Sequence, residues 1–155
     1  MERRRWLLAT AILVGVAVGL GGYTFVYAKG YSYLTNDPAA CANCHIMDEH
    51  YAAWQKSSHH AVATCNGCHT PPGDLAGKYY VKAKNGFWHS FYFTTGGFPY
   101  PLRITEPNHE VVERACRYCH RTITETVDHG LPADAAAAEA ADCSRCHRYA
   151  GHLVR

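Results

Sequence analysis

Four copies of one pentapeptide limit what this chain can fold into more than any other feature. Cys41-Ala42-Asn43-Cys44-His45, Cys65-Asn66-Gly67-Cys68-His69, Cys116-Arg117-Tyr118-Cys119-His120 and Cys143-Ser144-Arg145-Cys146-His147 all read Cys-x-x-Cys-His, and they use all 8 cysteines. An even cysteine count in a small extracytoplasmic chain would ordinarily suggest disulfides, but this spacing has another chemical meaning. Two thiols three residues apart can each form a thioether with one vinyl group of the same haem. The histidine that follows then lies beneath the ring and can bind the iron. Zinc ribbons also use paired cysteines, yet they do not require histidine directly after every pair. Four covalently bound haems c are therefore expected, attached through Cys41, Cys44, Cys65, Cys68, Cys116, Cys119, Cys143 and Cys146. Haem is attached in this way outside the bacterial cytoplasm, so the compartment follows from the motif.

The N-terminus fits that placement. Arg3, Arg4 and Arg5 precede an uncharged apolar run from Trp6 to Ala28. At about 1.5 Å per residue a helix of this length crosses a hydrocarbon layer of roughly 30 Å. The arginines favour a cytoplasmic N-terminus, with everything after Lys29 on the outer side. Val26-Tyr27-Ala28 could pass for a cleavage site, but secretory apolar regions run about 7–15 residues. A retained anchor over residues 1–28 is expected, with a tetrahaem domain over 29–155. Ala11, Gly15 and Gly19 share one helix face and would let two such helices approach closely. Membrane helices are also rich in glycine and alanine in general, so both readings of that stripe stand.

Residues 30–69 carry the first two motifs and residues 105–152 the second two. Between them, Lys78, Lys82, Asn85 and His89 fall on one face of a helix expected over 74–95. Gly96 to Pro101 end that helix with two glycines and two prolines. Ala133 to Ala141 is a good helix former with few apolar anchors and reads as an exposed spacer. Leu, Ile and Val are scarce outside the anchor, too few for an ordinary side-chain core. The expected fold is mostly α with little regular structure, one N-terminal transmembrane helix, and haems forming the core. The mild net charge of +2 gives no reason to expect nucleic acid as a partner.

A low-spin electron-transfer haem needs a second axial ligand, usually His or Met. Beyond the four motif histidines His45, His69, His120 and His147 the chain has seven more: His50, His59, His60, His89, His109, His129 and His152. The first motif also continues as His45-Ile46-Met47, and Met47 is one of only 2 methionines. Its thioether could bind iron in place of His45, or fill space as methionine readily does.

One anchor, four motifs in this order and size, and Cys-x-x-Cys-His-x-Met at the first site resemble the small subunits of cytochrome c nitrite reductases. These belong to the wider family of tetrahaem quinol dehydrogenases that serve nitrate, nitrite and related reductases. The resemblance covers essentially the whole chain. It implies that Met47 ligates the first haem, whose other face stays open beside a quinol site. Trp54-Gln55-Lys56-Ser57-Ser58-His59 is similar to a segment whose histidine is a distal ligand, which favours His59 over His60. Cys143 to His152 resembles a terminal motif in which a histidine five residues beyond the haem histidine ligates a neighbouring haem, so His152 is implied. His129 sits where some members carry a further distal ligand. If it is not one, the resemblance implies a ligand from the reductase itself, a lysine in the family. The helix from Lys78 to Phe93 resembles the quinol-site segment, with Lys82 as the contact to a quinone oxygen. Family members place a carboxylate nearby, whereas no Asp or Glu lies between Asp74 and Glu106. Asn85 or His89 must take that place. His89, with an unperturbed pKa of about 6.5, could accept a proton or serve as a distal ligand.

The function this implies is oxidation of menaquinol at the outer face of the bacterial inner membrane, with electrons passed to a periplasmic nitrite reductase catalytic subunit. Donation to another periplasmic reductase (nitrate, N- or S-oxide) is the alternative. A terminal reductase would need a large protected pocket, which about 30 residues per haem cannot wall off. A storage cytochrome would need neither anchor nor open haem.

Overall fold

The computed structural model describes residues 2–127 and 142–152, and among them every regular element is helical. The first helix, α1 (Glu2–Tyr27), is 26 residues long, contains the apolar run almost entire, and buries none of its side chains against the rest of the chain. At about 1.5 Å per residue it is roughly 39 Å long, long and apolar enough to cross a membrane. Two residues beyond its end, Lys29 adopts a left-handed conformation with φ 51° and opens the next turn.

Three short 3-10 turns follow, over Gly30–Leu34, Pro38–Asn43 and His45–Met47, and they lead into α2 (Asp48–Gln55). The second motif forms a single helical turn of its own, α3 (Cys65–His69). The long helix expected from the sequence is α4 (Leu75–Thr95). Asp74 caps its start, accepting a hydrogen bond from Gly77 N at 2.9 Å. Gly96, at φ 70°, closes its end with its N–H on Tyr92 O, a backbone conformation glycine adopts without strain. The third motif closes α5 (Glu106–Cys119), which continues into α6 (Arg121–Val127), and the fourth forms α7 (Cys143–Cys146). The expected spacer at Ala133 to Ala141 and His129 both lie outside the described residues.

The turn leaving α1 docks on α4, α3 packs on α5, and α5 holds α7. Apolar packing contributes little to this assembly. Only Val111 and Ala115 are buried apolar residues among those described, and no large side chain is fully buried. A chain of this size without a side-chain core needs another filler, as the scarcity of Leu, Ile and Val implied.

Candidate haem sites and the face beside the first motif

The first motif spans 3-10 turns, the second and fourth form α3 and α7, and the third ends α5; at helical spacing, cysteines three residues apart lie on one side. The thiols of the first two motifs meet: Cys41 shares a hydrogen bond with Cys65, which lowers the Cys41 pKa to about 7 and raises that of Cys65. Thioether formation would remove both titrations.

The histidines show where iron would sit. The rings of His59 and His120 lie 6.0 Å apart, as do those of His69 and His152. Two imidazoles on opposite sides of one metal ion, each with a metal–nitrogen bond of about 2 Å, have ring centres roughly 6 Å apart. Both pairs match that spacing. His59 Nδ1 lies 2.8 Å from Ala150 O. A carbonyl only accepts, so Nδ1 carries the proton and Nε2 keeps its lone pair for a metal. His60, the rival for this role, instead packs its ring on Trp54 at 4.8 Å. Burial, with His152 nearby, pushes the His69 pKa down to about 4, which keeps it in the neutral form that a metal ligand requires. Burial lowers His152 as well, and its Nδ1 is buried without a partner. The donor set, the ring spacings and the missing core all fit haem.

The first motif is built differently. The His45 side chain is fully exposed, with Nδ1 3.4 Å from Asp48 Oδ2, while Met47 is half-buried. Asn43 donates to Ser32 Oγ at 2.7 Å, which ties this motif to the turn leaving α1. Lys82 is only 7% exposed and donates its Nζ to Thr35 O at 2.6 Å, across 47 positions of chain. Burial, then Lys78, lowers its pKa. Asn85 and Asn108 exchange two amide hydrogen bonds of 3.2 Å, joining α4 to α5. His89 is exposed, and its Nδ1 lies 3.2 Å from the Tyr33 hydroxyl.

The structure also brings in residues that the sequence did not single out. His50 has a buried, unpartnered Nδ1 and its ring meets His152 edge-on at 5.1 Å. Glu113 accepts from Cys143 N at 2.9 Å and Ser144 N at 3.0 Å, so the helix of the third motif holds the fourth. The i,i+4 spacing of Glu113 and Arg117 was visible in the sequence, but nothing local pointed 30 positions ahead to Cys143. His120 and His147 are both exposed; His120 has its ring partner in His59.

Helical turns that carry paired thiols, histidines at the spacing of two axial ligands, and almost no side-chain core among the described residues define a c-type cytochrome carrying covalently bound haem. An apolar helix suited to a membrane adds the anchor. The chain belongs to the NapC/NirT cytochrome c family, whose N-terminal region matches residues 1–155. It is 35% identical over 159 residues to the cytochrome c-type protein NrfH of Wolinella succinogenes, covering 98% of this chain and 89% of that one. It is 34% identical over 144 residues to the cytochrome c nitrite reductase subunit NrfH of Nitratidesulfovibrio vulgaris, covering 92% and 82%. Among solved structures it is similar to a cytochrome c nitrite reductase NrfHA complex bound to the inhibitor HQNO. That match has a TM-score of 0.58 and 29% identity, covering 96% of this chain and 90% of the other.

Proposed function

We propose that this chain is the membrane-anchored tetrahaem subunit of a cytochrome c nitrite reductase complex. It oxidises menaquinol at the periplasmic face of the inner membrane and passes the electrons to the nitrite-reducing catalytic subunit. Residues 1–28 serve as the single-pass anchor and 29–155 as the haem domain. When bound, the four haems c supply one-electron redox centres close enough to relay electrons in sequence.

One observation carries the reading: the first motif sits where the chain leaves the anchor. Asn43 bonds Ser32, and Lys82 of α4 bonds Thr35, so motif, exit turn and α4 meet at one place. A quinol diffusing in the bilayer would meet this face first. The relatives' names supply the partner, since both NrfH proteins and the NrfHA complex match nearly the full chain.

Ligands are assigned on the same basis. Met47 is the axial ligand at the first haem, supported by its partial burial and by His45 turning away to Asp48. His69 and His152 hold the second haem, and His120 and His59 the third, on their ring spacings. His147 binds the fourth, whose other ligand comes from His129 or from the catalytic subunit. At the quinol face, an ammonium has three donors and Thr35 takes one. Lys82 therefore both fixes the exit turn and retains donors for a quinone oxygen. An amide has no basic site near neutral pH, and Asn85 is already paired with Asn108. His89, whose ring is partly desolvated against the exit turn and so held below the usual histidine pKa, is the proton acceptor.

The test is purification from detergent-solubilised membranes under conditions that keep partners bound. The expected result is a chain carrying four covalent haems by mass, copurifying with a nitrite-reducing multihaem cytochrome. A menaquinol analogue should reduce its haems, and Lys82→Ala should slow that reduction at least tenfold while leaving dithionite reduction unchanged. Haems that accept electrons from dithionite but never from the quinol analogue would refute the reading.

A further inference from the structure

We propose that Tyr33 is part of the quinol site, taking the hydrogen bond of the quinol hydroxyl and passing its proton to His89. This deepens the quinol reading above and rests on it. Tyr33 belongs to the exit turn, Gly30–Leu34, and stands only six residues beyond the end of α1. Its hydroxyl lies 3.2 Å from His89 Nδ1, with the two ring centres 6.5 Å apart. Glycine at position 86 makes this approach possible, because a Cβ there would come within 3.3 Å of the Tyr33 ring. Two independent devices thus fix the exit turn against α4, the Gly86 contact and the bond from Lys82 to Thr35.

The surroundings suit a proton relay. Tyr33 stands near Cys44 and Cys41 of the first motif, and burial, the largest cause and one that haem attachment does not remove, holds its pKa above the ordinary tyrosine value. It therefore stays a neutral hydroxyl, able to donate one hydrogen bond while accepting another. The hydroxyl donates to His89 Nδ1, and its oxygen lone pairs remain for a quinol O–H. Tyr33 as a whole residue is 38% exposed.

The balance is simple. For each electron that leaves the quinol for the oxidised c-type haem of the first motif, one quinol O–H bond breaks. Its proton goes to Tyr33 Oη as the Tyr33 proton goes to His89 Nδ1, so tyrosine ends unchanged and His89 ends as imidazolium. The exposed His89 ring then releases that proton to water before the second electron and proton follow by the same route.

Tyr33→Phe tests this, since it removes the hydroxyl and keeps the ring packed on Gly86. Two readouts are taken on the haem-loaded, membrane-extracted protein. One is affinity for HQNO, followed by fluorescence quenching; the other is the rate of haem reduction by a menaquinol analogue. The expected result is about a tenfold loss in each, the scale of one hydrogen bond to a bound ligand, with dithionite reduction unchanged. Slowed reduction with unchanged HQNO affinity would make Tyr33 only a prop for His89 and would overturn its contact with quinol. Wild-type behaviour in both readouts, while His89→Gln and Lys82→Ala remain defective, would overturn the role of Tyr33 and leave the quinol site standing. A wild-type chain that the analogue cannot reduce overturns both.

Discussion

Replacing Glu113 with glutamine should loosen the fourth motif selectively. The Glu113 side chain is 12% exposed and accepts from Cys143 N at 2.9 Å, Ser144 N at 3.0 Å and Arg117 Nη1 at 3.2 Å. The two backbone donors are the opening residues of α7, where helical N–H groups have no intrahelical partner. Hydrogen bonds to a charged acceptor contribute about 1.5–3 kcal/mol each, and glutamine would keep one neutral bond while turning its own N–H₂ toward the other donor. The net cost is about 3 kcal/mol, a factor of roughly 100 in local opening before the haem tether at Cys143 and Cys146 restrains it. Hydrogen–deuterium exchange of the haem-loaded protein, read on peptides spanning 142–147, should therefore accelerate about 10- to 100-fold at pH 7. Exchange within α4 should not change. The pH dependence has a definite sign. Burial opposes ionisation of Glu113, but the bonds from Cys143, Ser144 and Arg117 outweigh it and lower the pKa. Its contribution is thus fully present above the ordinary glutamate value and is lost as pH falls through the lowered one. The variant and the wild type should converge only once the pH is below that lowered value. Less than a threefold change at pH 7, or equal acceleration throughout α5, would show that the carboxylate does not hold the motif.

Two further outcomes follow from the ligand assignments. Met47→Leu should abolish the sulfur-to-iron charge-transfer absorption of one haem in four, and an unchanged spectrum would return that ligation to His45. His59→Gln and His152→Gln should each add one high-spin haem to the wild-type signal, seen by electron paramagnetic resonance, with all four haems still attached by mass; a variant whose high-spin signal equals that of the wild type would remove that histidine from the ligand set.

Much of this was legible in the sequence because it is local. The four motifs, the apolar run of α1, and the capped helix between Asp74 and Gly96 each depend on residues within a few positions of one another. Met47 stood out for the same reason, two residues beyond His45. The choice of His59 over His60 came from resemblance, and the structure gives the two neighbours different surroundings, a facing histidine for one and a tryptophan for the other. Pairings across the chain were not legible. Nothing near Lys82 pointed to Thr35, nothing near His89 to Tyr33, and nothing near Glu113 to Cys143, because those partners lie 47, 56 and 30 positions away. The face carrying Lys82, Asn85 and His89 could be drawn from helical period alone. That Lys82 would be nearly buried and Asn85 locked to Asn108 could not, since both depend on which segment covers that face.

These long-range pairings also bear on why a chain with only two buried apolar residues among those described holds one shape. The histidine before the second motif, His59, faces the motif histidine of the third, and the one after the fourth, His152, faces that of the second. Glu113, before the third motif, grips the start of the fourth, while Cys41 of the first abuts Cys65 of the second. Each motif is thereby linked to at least one other, the third and fourth to two and the second to three. With iron bound between the facing histidines, those contacts would become coordination bonds that close loops of roughly 60 and 80 residues, removing unfolded-state entropy as any long cross-link does. With those bonds the chain would draw from its ligands the order that other domains draw from a packed interior. The same cross-links would hold neighbouring haems in place, so that a route for electrons and a stable fold would come from one set of residues.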